Sequence, residues 1–184
     1  MTMTYPFPVS GDEFKGKRIL VTGGTKGMGQ AMVRRFTLSG ASVATTARSP
    51  LPEEQAVALF VQTDIGTAAG VQEVISRVLQ EWRGLDILVN NVGASDAPNG
   101  GYKALSDDDW QKALNVNLLA SVRLDRAFLP GMIEGKSGVI LHISSILPPV
   151  TRIRLPLNSS PETGKGYVIV MIESPMKQSC GWKV

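Results

Sequence analysis

The chain has 184 residues, 43% of them hydrophobic, with 19 Lys/Arg against 16 Asp/Glu, a length and composition that suit one domain with a sizeable core. No run of eighteen apolar residues exists, which excludes a membrane-spanning helix, and the opening MTMTYPFPVS lacks the basic and apolar segments of a signal peptide. The excess charge of +3 sits after Val150, where five basic residues meet two acidic ones, while the preceding 150 residues balance at fourteen each; this excludes a nucleic-acid footprint. The single cysteine, Cys180, cannot form an internal disulfide and agrees with a reducing cytoplasm.

Residues 1–13 read as a flexible arm. Arg18 to Val21 then form a short buried strand, and three glycines, Gly23, Gly27 and Gly29, turn the chain directly into a helix. Glycines let the backbone approach a phosphate, and a helix start offers unpaired N–H groups and the positive end of the dipole. The turn is therefore either an anion site, fit for a dinucleotide pyrophosphate, or an ordinary tight strand-to-helix connection. Its spacing, Gly-x-x-x-Gly-x-Gly, differs from the Gly-x-Gly-x-x-Gly fingerprint. Met28, Met32 and Phe36 share one face of the helix that follows, and Gly40 is placed to end it.

Ser42 to Thr46 are a second, β-branched strand. Ser49 to Val57, with Pro50 and Pro52, leave room only for a short second helix. Ala58 to Gln62 give the third strand, ending near Asp64. Val71, Val74, Ile75, Val78, Leu79 and Trp82 repeat at three-and-four spacing, a clear amphipathic helix that Gly84 closes. Asp86 to Asn90 are the fourth strand, followed by a glycine-bearing loop.

Ser106 before Asp107 to Asp109 is a helix cap with carboxylates where the dipole favours them. The helix runs through Trp110, Leu114 and Leu118 and ends near Pro130-Gly131. Gly138 to Ser144 are the fifth strand, with the only histidine, His142, in a packed or hydrogen-bonded structural role. Alternating strands and helices describe a parallel sheet covered on both faces, a doubly wound α/β fold of Rossmann type. Ligands in such sheets bind beyond the carboxyl ends of the strands, where the glycine turn, Arg48, Asp64, Asn90 to Gly93 and Ser144-Ser145 all fall.

The run Thr22-Gly23-Gly24-Thr25-Lys26-Gly27-Met28-Gly29, then Asn90-Asn91-Val92-Gly93, Asn117 and Ser144-Ser145, resembles the short-chain dehydrogenase/reductase family in family order from about Phe14 to Ile146. The resemblance implies a dinucleotide-binding domain over 14–150 and a small-molecule carbonyl or alcohol as substrate, with hydride transfer to or from nicotinamide. It implies cofactor contacts at Gly23, Thr25, Lys26, Gly27, Met28 and Gly29, an adenine pocket bordered by Asp64 and Ile65, and a floor from Asn90, Asn91, Val92 and Gly93. The strand-two end reads Thr45-Thr46-Ala47-Arg48-Ser49, with no carboxylate for a ribose 2′-hydroxyl. Arg48 offers a planar fork that suits phosphate, and Lys26 adds a second cation. Both favour NADP over NAD.

By the same resemblance Ser145 holds the substrate oxygen, and Asn117 supports a lysine that lowers the pKa of a catalytic tyrosine four residues away. Read alone, Ser145 is a strand-end cap and Asn117 a polar helix residue. No Tyr-x-x-x-Lys occurs in the 184 residues; four positions after Tyr167 stands Met171. From Thr151 onward there is no alanine, against fourteen before it, and no helical apolar stripe. Residues 151–184 are thus expected to be a divergent tail replacing the family's catalytic helix and last strands, the product of a frameshift, rearrangement or early stop. The sheet is expected to be incomplete after the fifth strand, with Tyr167 to Ile172 pairing along its exposed edge. Two functions stay open: an NADP-dependent oxidoreductase, or a non-catalytic product that at most binds the nucleotide. The helix through Asn117 to Leu129 carries an apolar stripe expected to favour homo-oligomers. One His and one Cys far apart offer no metal site.

Overall fold

In a computed structural model of the chain, residues 11–94, 104–144 and 169–173 are described. The order is β1 (Arg18–Thr22), α1 (Gly27–Leu38), β2 (Ser42–Ala47), β3 (Leu59–Gln62), α2 (Ala68–Trp82), β4 (Ile87–Asn90), α3 (Asp107–Leu114), a π-helical turn (Asn115–Leu119), α4 (Ala120–Glu134), β5 (Val139–Ser144) and β6 (Ile169–Glu173). The strands form one sheet in the order β3-β2-β1-β4-β5-β6, and every pairing is parallel. All carboxyl ends therefore share one rim. The expected fold, a doubly wound parallel sheet with helices on both faces, is the fold observed.

Alternation along the strands divides the core in two. Ile19, Val21, Val43 and Val89 pack with Val33, Met32 and Phe36 of α1 on one face. Leu20, Ala44, Leu88 and Ile140 face α2 and α4, meeting Val71, Val74, Val78, Leu124, Phe128 and Met132. Each side chain buried on these faces contributes about 1.5–3 kcal/mol, so the two stripes of α2 and α4 fix which side of the sheet each helix takes. Residues 11–16 form a turn docked at the end of α1, where Phe14 N donates to Ser39 O at 2.8 Å and its ring meets Phe36 edge-on.

Arg18 locks the start of β1 to β4. Its guanidinium grips Asp86 through both carboxylate oxygens, at 2.9 and 3.0 Å, and donates to Trp82 O, while its backbone N–H also reaches Asp86. The guanidinium holds the Asp86 carboxyl below its ordinary range.

Several sequence expectations are corrected. Residues 49–57 contain no helix; Pro50 and Pro52 leave an irregular segment with one turn, closed by Gln55 N donating to Pro52 O. Arg83, at φ 57°, and not Gly84, closes α2, its N–H donating to Leu79 O. The helix does not stop at Pro130-Gly131 but continues to Glu134, because the buried Phe128 and Met132 on either side hold that turn against the sheet. Met28 and Leu79, expected on apolar faces, are exposed: Met28 lies in the first turn, above the strand ends, where no sheet remains to cover it. On β5, β6 pairs in register Ile140↔Ile169 to Ser144↔Glu173, at the edge expected to recruit Tyr167 to Ile172. Of the expected arm 1–13, residues 11–13 belong to the turn docked on α1, while residues 1–10, Tyr167 and the rest of the tail lie outside the described residues.

Candidate functional site

The site is built where β1 gives way to α1. Gly23 has φ +69° and Gly27 φ +57°, a region that costs other L-residues about 1–2 kcal/mol. Two further glycines are required by space. A Cβ on Gly24 would lie 2.2 Å from Thr45 Oγ1, and one on Gly29 would lie 2.2 Å from Gly23 O. Their absence lets the first turn of α1 sit directly on the strand end, with its N-terminal amides at the rim. A Cβ on Gly27, by contrast, would meet nothing within 4 Å, so open space lies over the turn.

Three side chains to which the sequence assigned no role hold this turn. Thr45 Oγ1 donates to Val21 O at 2.7 Å and accepts from Gly24 N at 3.0 Å. Thr22 Oγ1 accepts from Asn91 N and Val92 N, at 2.9 and 3.1 Å, tying the loop after β4 to the strand carrying the glycines. Gln55 Nε2 donates to Gly24 O at 2.7 Å. A buried threonine at a strand end is a readable signal. Gln55 offered none, since its contact depends on how the segment after β2 folds back.

Among the expected cofactor residues, Thr25 is buried, its hydroxyl 3.3 Å from that of Ser49. Lys26 caps α1 without a side-chain bond and is exposed, as is Arg48 just after β2. The register Thr22↔Thr46 makes the β1 and β2 ends neighbours, so both cation-bearing segments occupy the same part of the rim. Asp64 follows β3 and accepts from Gly66 N at 2.8 Å, while Ile65 is buried in the larger core. Asn91 Nδ2 donates to Thr22 O at 2.9 Å, bracing the turn from the β4 side, and Val92 and Gly93 follow it along the rim. Asn90 differs: its amide turns under the sheet to Asp125 Oδ1 at 2.9 Å, leaving only its backbone to the rim. His142 completes that cluster, with Nε2 3.3 Å from Asp125 Oδ2, the hydrogen-bonded structural role read from the sequence.

Asn117 lies in the π-helical turn, a departure from α-helix often found at functional sites. Its amide grips Ala94 at both ends, accepting from Ala94 N at 3.0 Å and donating to Ala94 O at 2.9 Å, and it also donates to Ala113 O. Asn117 is thereby joined to the loop after β4, beside Gly93. Ser145 lies outside the described residues; Ser144 before it ends β5 at the same rim.

A model of the short chain dehydrogenase family matches residues 17–174. The chain belongs to that family. The chain is 36% identical over 133 residues to the NADP-dependent 3-hydroxy acid dehydrogenase YdfG of Shigella flexneri, covering 69% of the chain and 53% of the relative. It is 33% identical over 160 residues to the short chain dehydrogenase pigC of Monascus ruber, covering 78% and 52%. The chain thus spans about half the length of the curated relatives it matches. Among solved structures, a metagenomic short-chain oxidoreductase in complex with NADP superposes with a TM-score of 0.66 at 31% identity, covering 71% of this chain and 62% of the other. L-Sorbose reductase from Gluconobacter frateurii, complexed with NADPH and L-sorbose, gives 0.65 at 33% identity, covering 72% and 54%. The family is one of oxidoreductases. Among the described residues no helix is long and apolar enough to cross a membrane, and no cluster of His, Cys, Asp and Glu could hold a metal.

Proposed function

We propose that this chain binds NADP(H) at the β1–α1 turn as the nucleotide-binding part of a short-chain dehydrogenase-type oxidoreductase acting on a small carbonyl or alcohol. The observation that carries this is the turn itself: the packing of Gly24 and Gly29 brings the amides at the start of α1 to the rim, beneath the open space over Gly27. Those amides suit a pyrophosphate. Arg48 and Lys26 suit a 2′-phosphate on the adenosine ribose, and no carboxylate stands at the β2 end to prefer a free hydroxyl. The NADP-dependent and NADP-complexed relatives support that choice. Gly23, Thr25, Met28, Asp64, Ile65 and the backbone from Asn90 to Gly93 line the adenosine and diphosphate half. When bound, the cofactor supplies or accepts hydride at its nicotinamide ring. Ser145 is assigned to the substrate oxygen, and Asn117, through its grip on Ala94, keeps the loop after β4 against the helix.

A second reading, binding without turnover, is favoured by one observation: no Tyr-x-x-x-Lys pair exists in the 184 residues to move the proton that accompanies hydride transfer. Purified chain mixed with NADPH separates the two. A fluorescence or thermal shift with cofactor oxidation across a panel of carbonyls supports the oxidoreductase, a shift without oxidation selects the binding-only product, and no shift overturns both. The single cysteine accords with a cytoplasmic setting. Trp110, Leu114, Leu118 and Val122, spaced by four and 55, 43, 52 and 39% exposed, form an apolar stripe that supports self-association.

A further inference from the structure

We propose that Gln55 is a positioning residue that sets the preference for a 2′-phosphorylated cofactor, by clamping the segment carrying Arg48 to the glycine turn carrying Lys26. The inference rests on the NADP reading above.

The residues that would grip a 2′-phosphate sit on two different pieces of chain. Lys26 belongs to the β1–α1 turn, and Arg48 begins the irregular connection from β2 to β3. Being exposed, neither side chain is positioned by burial. Their relative placement therefore depends on what ties the two backbones together: besides the bonds at the strand ends, from Gly23 N to Thr46 O and from Gly24 N to Thr45 Oγ1, two bridges run from the connection itself. Gln55, at the end of the Pro52 turn, reaches back to donate to Gly24 O at 2.7 Å, and its own Oε1 accepts from Gln30 Nε2 of α1 at 3.4 Å. Near Arg48, the hydroxyls of Thr25 and Ser49 meet at 3.3 Å.

The clamp acts unequally on the two parts of the ligand. Gly23 and Gly24 are also held by Thr46 O, Thr45 Oγ1 and Asn91, independently of Gln55, so the pyrophosphate amides keep their geometry without it. On the Arg48 side, Gln62 Nε2 anchors Arg48 O to β3 at 3.1 Å and Ser49 meets Thr25, while Gln55 is the residue that draws the rest of the connection onto the Gly24 carbonyl. Loosening the connection lowers the local concentration of the second cation at the first, which weakens a 2′-phosphate and leaves a 2′-hydroxyl nearly unaffected.

The test uses the full chain and the fragments adenosine 2′,5′-bisphosphate and 5′-AMP, together with NADPH and NADH. Gln55→Met keeps the volume and removes both hydrogen bonds. We expect its affinity for NADPH and the bisphosphate to fall about fivefold, the value of one ordinary hydrogen bond, while NADH and 5′-AMP change less than twofold. In an Arg48→Ala background, Gln55→Met is expected to leave the ratio of phosphorylated to unphosphorylated ligand unchanged, because the residue acts through Arg48. Gln30→Met, which removes only the support of Gln55, is a milder variant expected to lower the same ratio, and it carries the test if Gln55→Met does not fold. Equal losses for both ligand classes, an unchanged ratio in the single variants, or a further fall in the Arg48→Ala background overturns the role of Gln55. Wild-type protein that binds none of the four ligands overturns the NADP reading and the clamp with it.

Discussion

Substituting Gly29 by alanine probes the close approach on which the whole site is built. The added Cβ would stand 2.2 Å from Gly23 O and 2.6 Å from Asn91 Nδ2. Because the nearest obstacle is backbone, no rotamer change relieves the clash, and the start of α1 must retreat by about 1 Å to reach van der Waals contact. Overpacking of this kind costs about 1–3 kcal/mol. Disturbing the hydrogen bonds from Asn91 to the turn adds ~1 kcal/mol, and the better helix propensity of alanine returns ~1 kcal/mol. The net loss is about 1–3 kcal/mol, or roughly 2–12 °C in Tm for a chain of this size. Gly131, inside α4, is the internal control: a Cβ there meets nothing within 4 Å, so the same substitution is expected to stabilise by about 0.5–1 kcal/mol. Urea denaturation of both variants measures the difference, and titration with NADPH is expected to show lost affinity for Gly29→Ala alone. Gly29→Ala matching wild type in stability and NADPH affinity, or shifting in the same direction as Gly131→Ala, would refute the argument from close packing.

Arg48→Ala is expected to weaken NADPH binding by about tenfold or more, the worth of a charge-assisted contact to phosphate, and to spare NADH; equal effects on both, measured by fluorescence titration, would remove Arg48 from the ribose site. The Asp86 carboxyl is held below its ordinary value of 3.8 by Arg18, so its contribution to stability is present above that pH and is lost as pH falls through the lower folded-state value. Arg18 is raised in turn, and its contribution fades only under strongly alkaline conditions. Asp86→Asn is therefore expected to be less stable than wild type at neutral pH, with the gap narrowing in acid; a gap that widens on acidification contradicts the sign. Leu114→Glu with Leu118→Glu is expected to convert a self-associating chain to monomer in sedimentation without altering NADPH affinity, and a wild-type chain that already sediments as a monodisperse monomer counts against association through this stripe.

The strand-and-helix alternation, the glycine turn and the capped start of α3 were legible in the residues because each is a local decision. Buried strands need β-branched runs, a turn at positive φ calls for glycine, and Ser106 with Asp109 forms its capping box within four residues. The carboxyl rim followed from the same pattern, since parallel crossovers leave no other arrangement. Contacts between segments far apart in sequence were not legible. Nothing around Gln55 announces that its amide reaches Gly24, thirty-one residues earlier, and the absence of a helix over 49–57 is what makes that reach possible. Likewise Asn90, whose place in its motif suggests a rim residue, turns its side chain beneath the sheet because Asp125 of α4 and His142 of β5 offer it partners there. Periodicity and turn chemistry of the chain determined that a glycine turn would lead from β1 straight into a helix; only folding the loops back onto that turn decided which side chains hold it in shape, because hydrogen bonds between distant segments depend on where the backbone ends up and not on residue spacing.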